Sequence, residues 1–182
     1  MKLIISLVIL LNFVSADACD EHEHRHHEAH VHGAATLNVA FDQLQGKVEF
    51  KAASESVLGF EHDAKTAREK KKLSDTILKF EKEVSSLIQF DKSLECTFIK
   101  DKIDMVVEKT DCKNKDHHKN HGQHSDFIAN YNVVCKKDVK GTALKLDFTQ
   151  FKGLKDLDVT ILVGDVQKSV EIKSKPLTVE LK

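Results

Sequence analysis

Ten of the eleven histidines in this chain fall into two short segments. Six lie in "EHEHRHHEAHVHG", residues 21–33, as His22, His24, His26, His27, His30 and His32. Four more, His117, His118, His121 and His124, lie in "TDCKNKDHHKNHGQHSD", residues 110–126. An even spread at this composition would put about 0.7 histidine in an eleven-residue window; the window 22–32 holds six. Neutral imidazole is the commonest protein ligand for zinc and also suits copper and nickel. His22, His24 and His26 are spaced by two, as are His30 and His32. Alternate side chains of extended backbone point the same way, so each group can offer two nitrogens to one ion. His117 and His121 stand four apart, a spacing that works if the segment turns helical on binding. Glu21, Glu23, Glu28 and Asp116 put carboxylates alongside. A polar tail and loop kept for solubility is the plainer alternative, but lysine or glutamate would serve that end more simply. Lone His62, in "GFEHDAKT", reads on its own as a residue near a helix N-terminus or a satisfied core histidine.

Catalysis finds little support in the same residues. Hydrolysis at a metal needs an open coordination position and a fixed general base, and no H-E-x-x-H or comparable motif is present. The serines lie in no recognisable nucleophile elbow, and the cysteines look structural. The chain therefore reads as a binder and not an enzyme. A copper, nickel or zinc resistance buffer or efflux accessory would use the same histidines, and by the stability series copper would bind more tightly in vitro. A structural or interaction domain with incidental histidines is the other alternative.

The elements that position these residues begin after an export signal. "MKLIISLVILLNFVSADAC" has a cationic start at Lys2, an apolar run from Leu3 to Val14 and an A-x-A ending at Ala16–Ala18, the pattern of a secretory signal peptide. The run is too short for a spanning helix, which needs about 20 apolar residues. Residues 1–18 are therefore expected to be removed, with 19–33 as a histidine-rich N-terminal arm and 34–182 as a single domain. The 164 residues after the signal suffice for one core. Lys+Arg of 28 against Asp+Glu of 29 gives no charge to draw nucleic acid or anionic lipid. With no second apolar span, membrane attachment is expected only if Cys19 is lipidated. Cys96, Cys112 and Cys135 would meet an oxidising compartment, where a disulfide is the default. Spacing leaves open which pair forms, with the third cysteine left over or joined to Cys19.

Alternation predicts strands at 36–41 and 47–52, joined by a short hairpin near Gly46. Leu73, Ile77, Phe80, Val84, Leu87 and Ile88 recur at three- and four-residue steps and predict one amphipathic helix from about Asp63 to Phe90. Strand patterns resume around Leu94–Phe98, Ile103–Val107 and Phe127–Cys135, then at 143–148, 157–163, 166–172 and 177–181. Gly164-Asp165 marks a two-residue turn. One long helix with roughly eight strands, mostly in hairpins, implies an antiparallel α+β domain with the helix packed across the sheet. The segment 110–126 has no apolar periodicity and reads as a long polar loop between two strands, a length uncommon in compact domains unless functional.

"HVHGAATLNVAF", "GFEHDAKTA", "LECTF", "HSDFIANYNVVC" and "LKLDFTQFKGLKDLDVTIL" follow in that order, and the succession resembles the periplasmic zinc-uptake proteins of the ZrgA type from about residue 30 to 165. The resemblance implies a Gram-negative periplasmic location, zinc as the metal and a role beside a zinc ABC transporter or its binding protein. It makes His62 a ligand or ligand neighbour alongside His32 and His124, and it favours Cys96–Cys135 as the disulfide. "ASESVLGFEH" departs from the pattern in lacking a proline ahead of the Gly-Phe-Glu-His motif. The expected site is thus His30, His32, His62 and His124 at or beside a structured Zn²⁺ position. His22, His24, His26, His27, His117, His118 and His121 would form a low-affinity collecting arm.

Overall fold

The computed structural model describes residues 32–107 and 124–182. Nine strands and two helices follow in the order β1 (Ala34–Asp42), β2 (Gln45–Ala53), α1 (Ser54–Leu58), α2 (Ala67–Leu87), β3 (Ile88–Phe90), β4 (Thr97–Val107), β5 (Ser125–Val134), β6 (Ala143–Leu146), β7 (Asp156–Val163), β8 (Val166–Lys173) and β9 (Leu177–Glu180). They form a six-stranded sheet, β4-β5-β2-β1-β7-β8, and a three-stranded sheet, β3-β6-β9. The class is α+β, as the sequence implies. Every pairing is antiparallel except β1 with β7, which run parallel.

Period-two burial explains the large sheet. Leu37, Val39 and Phe41 of β1, Val48 and Phe50 of β2, Phe127, Ala129, Tyr131 and Val133 of β5, and Leu157, Val159, Ile161 and Val163 of β7 all point inward and are buried. Their sequence neighbours face outward, because successive strand side chains alternate between faces. Helix α2 covers the inner face through Phe80, Val84 and Leu87. The Phe80 ring stands 5.2 Å from Phe50, 5.0 Å from Phe127 and 5.0 Å from Phe151. Tyr131 donates its O–H to the Phe80 carbonyl at 2.9 Å, so this buried hydroxyl has a partner and ties β5 to the helix.

The observed boundaries differ from the sequence pattern in instructive places. Helix α2 starts at Ala67, where Thr66 and Glu69 form a reciprocal capping box, and stops at Leu87. Ile88 keeps the helical spacing but belongs to β3, paired with Leu146. The expected strands around Leu94–Phe98 and Ile103–Val107 are one strand, β4, with an irregularity between Lys100 and Lys102. The first hairpin turns at Gln43–Leu44, with Gln43 at φ 53°. Gly46 lies in β2 opposite Phe41, where a Cβ would come 2.6 Å from the ring. A Cys96–Cys135 disulfide closes the β4–β5 ladder one residue beyond the Thr97–Val134 pair. Cys19 and Cys112 lie outside the described residues.

This topology gathers particular chain ends at one edge of the sheet. The start of β1, the end of β2, the end of β4 and the starts of β5 and β7 are brought together by the pairs Ala35–Ala52, Ala53–Asp126, Val107–Ser125 and Ala34–Asp156. His32, Val107 and His124, all among the described residues, lie at this edge.

Candidate metal site

His32 enters β1 through Gly33, whose φ of 91° is a conformation glycine adopts without a Cβ penalty. The Gly33 carbonyl accepts the N–H groups of Lys155 at 2.7 Å and Asp156 at 3.0 Å. Its own N–H donates to Ser56 Oγ at 2.9 Å in a buried bond. Gly153 packs against the same helix so closely that a Cβ there would lie 2.2 Å from the Ser56 carbonyl oxygen. These contacts fix His32 against α1, which carries Glu55. The helix ends at Gly59, at φ 84°, with its N–H bonded to the Glu55 carbonyl at 2.8 Å. Two residues later Glu61 reaches the same place, and its main-chain carbonyl accepts the hydroxyl of Ser125 at the start of β5.

Three segments therefore converge on two carboxylates. His32 Nδ1 contacts a carboxylate oxygen of Glu55 and lies 3.4 Å from Glu61 Oε1. His124 Nδ1 lies 3.1 Å from the other Glu61 oxygen, Oε2. The Glu61 side chain is only 17 % exposed, against 60 % for His32 and 43 % for His124, so a mostly buried carboxylate lies beneath two accessible imidazoles. Glu61 Oε1 is buried without a hydrogen-bond partner among the described residues. A carboxylate oxygen in that condition is costly unless a cation or donor meets it.

The donor set fits a divalent metal. His32, Glu55 and Glu61 each offer one atom, and these atoms lie within 4.8 Å of one another. Tetrahedral zinc with bonds to nitrogen and oxygen of 2.0–2.2 Å needs donors about 3.3–3.6 Å apart. The 3.4 Å between His32 Nδ1 and Glu61 Oε1 already matches such an edge. One nitrogen and two carboxylates also make a harder set than the all-histidine site expected from composition, and both donor types are ordinary zinc ligands.

His62 has different company. Its Nδ1 lies 2.9 Å from the Asp63 carbonyl, its Nε2 lies 3.7 Å from Glu69 Oε1, and its ring stacks on Phe60 at 5.5 Å. The geometry thus brings His32 and His124 together around Glu61 and puts His62 at the approach to α2. Hydrogen bonds from the main-chain N–H groups of Thr66 and Lys65, with Thr66 the larger influence, hold the Glu69 carboxyl below its ordinary pKa, and His62 adds a smaller electrostatic pull in the same direction. His22, His24, His26, His27, His30, His117, His118 and His121 lie outside the described residues. Glu55 and Glu61 were not singled out by sequence reasoning. For Glu61 the available signal was its place beside His62 in the Gly-Phe-Glu-His motif; for Glu55 there was none.

A family model described as "ZrgA family zinc uptake protein" matches residues 29–181. The matched stretch takes in His30, His32, Glu55, Glu61, His62 and the histidines from His117 to His124, and it begins after His22–His27. No curated protein matches the chain.

Proposed function

Because the chain belongs to the ZrgA family of zinc uptake proteins, a family of transport and binding and not of enzymes, we propose that it captures Zn²⁺ in the periplasm and supplies it to import through an ABC transporter. The observation that carries this reading is the convergence of His32 and His124 on the half-enclosed Glu61 carboxylate, with Glu55 beside it. Residues 1–18 serve as the export signal. Residues 19–33 are the arm that ends in His32, and 34–182 form one metal-binding domain, with a histidine-rich segment, 110–126, that runs into the start of β5. The Cys96–Cys135 disulfide suits an oxidising compartment. Among the described residues, no helix is long and apolar enough to cross a membrane.

In this mechanism His32, Glu55 and Glu61 hold the ion, His124 borders it, and their geometry sets the affinity. His30, two residues before His32 in sequence, is a further candidate ligand. His62 is a neighbour that positions the start of α2. His22, His24, His26, His27, His117, His118 and His121 are weak sites tethered to the His/Glu site along the chain. Such tethered sites raise the local metal concentration beside a tighter one. Imidazole must be neutral to bind a metal, so capture weakens in acid. Uptake of radiolabelled zinc by chelator-starved cells lacking this chain tests the proposal. The intact gene restores uptake and a His32→Ala, Glu61→Ala double variant does not; full rescue by that variant refutes the site.

A further inference from the structure

Glu61 meets two imidazoles through two different oxygens. His32 Nδ1 faces Oε1 at 3.4 Å and His124 Nδ1 faces Oε2 at 3.1 Å. The donor atoms that share one compact volume are those of His32, Glu55 and Glu61, and His124 stands outside that group. A single ion bonded through Oε1 to His32 and Glu55 would therefore leave His124 on the far oxygen of the same carboxylate. We infer that Glu61 is a bridging ligand serving two metal positions, one on Oε1 with His32 and Glu55, the other on Oε2 with His124. This rests on the zinc-binding reading of the site and assigns it a second ion.

The two positions differ in chemistry. Among the described residues, the first has three protein donors and the second has one imidazole and one carboxylate oxygen. Fewer protein ligands mean weaker binding and easier exchange. The Ser125 hydroxyl bonded to the Glu61 main chain fixes this residue to the strand that His124 immediately precedes. The carboxylate is thereby held with one oxygen toward each imidazole. An ion on the outer position reaches the inner one by a carboxylate shift. Its bond to Oε2 breaks as a bond to Oε1 forms, His32 Nδ1 and a Glu55 oxygen replace His124 Nδ1 and the ion's other outer ligands, and no electron changes hands. The outer position is the entry and exit point, and the three-donor position is the store.

A different geometry would make Glu61 only an orienting group. Metal-bound histidines commonly donate their second N–H to a carboxylate, and both histidines here present Nδ1 to Glu61. Anomalous diffraction at the zinc edge from crystals of the chain grown with excess Zn²⁺ separates the two arrangements. Two peaks flanking the Glu61 carboxylate, about 3.5–4 Å apart as in bridged two-metal sites, are expected, with the His124 peak fading first when zinc is lowered. One peak bonded to both His32 and His124 overturns the inference, as do peaks on the Nε2 atoms with Glu61 out of bonding range. No peak at these residues overturns the zinc reading itself. In solution, with the eight histidines outside the described residues replaced by serine, His124→Ala should abolish the weaker of two zinc equivalents and leave the tighter one unchanged. Glu61→Gln should abolish both; retention of either at full affinity refutes the bridge.

Discussion

Gly153→Ala tests how far the site depends on backbone packing. The added Cβ would lie 2.2 Å from the Ser56 carbonyl oxygen and 2.9 Å from its carbonyl carbon. Ordinary contact between such atoms lies more than 3 Å apart, so about 1 Å of movement must be absorbed. Both colliding groups are backbone, and no side chain can swing away. Overpacking of this kind costs about 1–3 kcal/mol, which in a domain of this size lowers Tm by about 2–12 °C. The movement also reaches the candidate metal site, since Ser56 Oγ holds the Gly33 N–H and Glu55 precedes Ser56 on α1. Metal ligands tolerate displacements of only about 0.2 Å, and disturbing supporting groups costs about 10–100-fold in affinity. Competition with a chromophoric zinc chelator, in the background lacking the eight histidines outside the described residues, reads that loss. Gly141→Ala is the control: its φ of 81° makes it strained, yet a Cβ there meets nothing within 4 Å. Equal zinc affinity in the Gly153 variant and the wild type would refute the claimed coupling between packing and site. So would an equal loss in the Gly141 control.

Three further perturbations have expected outcomes. Tyr131→Phe removes the hydroxyl donated to Phe80 and should cost about 1 kcal/mol by denaturant titration. Burial, with Glu81 nearby, pushes the Tyr131 phenol up from its ordinary value. The stability from this group is therefore present below pH about 10 and lost as pH rises through the folded-state value, a decline that the phenylalanine variant should lack. Glu69, held low by the main-chain N–H of Thr66, contributes in the opposite direction: its share is present above the ordinary carboxylate range and lost as pH falls through the folded value. Hydrogen exchange in the first turn of α2 should accelerate there in the wild type, and Glu69→Gln should remove the pH dependence. Cys96→Ser with Cys135→Ser opens a link across a sequence separation of 39 and should cost about 4 kcal/mol on chain-entropy grounds; a Tm unchanged by reduction would contradict this.

The sequence made the half-buried strands and α2 legible because their burial is periodic and local. Leu37, Val39 and Phe41 alternate, and Phe80, Val84 and Leu87 recur at helical steps, whatever lies elsewhere in the chain. Ile88 misled because it continues the helical spacing while its partner, Leu146, lies far along the chain. Helix α1 has five residues, too few to display a period. The parallel β1–β7 pair carries no turn signal, since its strands are joined by most of the domain. The site divides along the same line. Histidine enrichment pointed to metal, and the family resemblance pointed to His32, His62 and His124. Only the fold brings Glu55, 23 residues from His32, and Glu61, 63 residues from His124, against those imidazoles. Two glutamates among 29 acidic residues are inconspicuous until the sheet edge is assembled.

On this reading, a structured site of His32, Glu55 and Glu61 binds zinc without help from the eight histidines that lie outside the described residues. Calorimetric titration of Zn²⁺ into the chain with His22, His24, His26, His27, His30, His117, His118 and His121 replaced by serine tests it most directly. Tight binding is expected to survive these eight replacements and to disappear when Glu61→Ala is added. Weak binding alone after the eight replacements, or tight binding indifferent to Glu61, would contradict it.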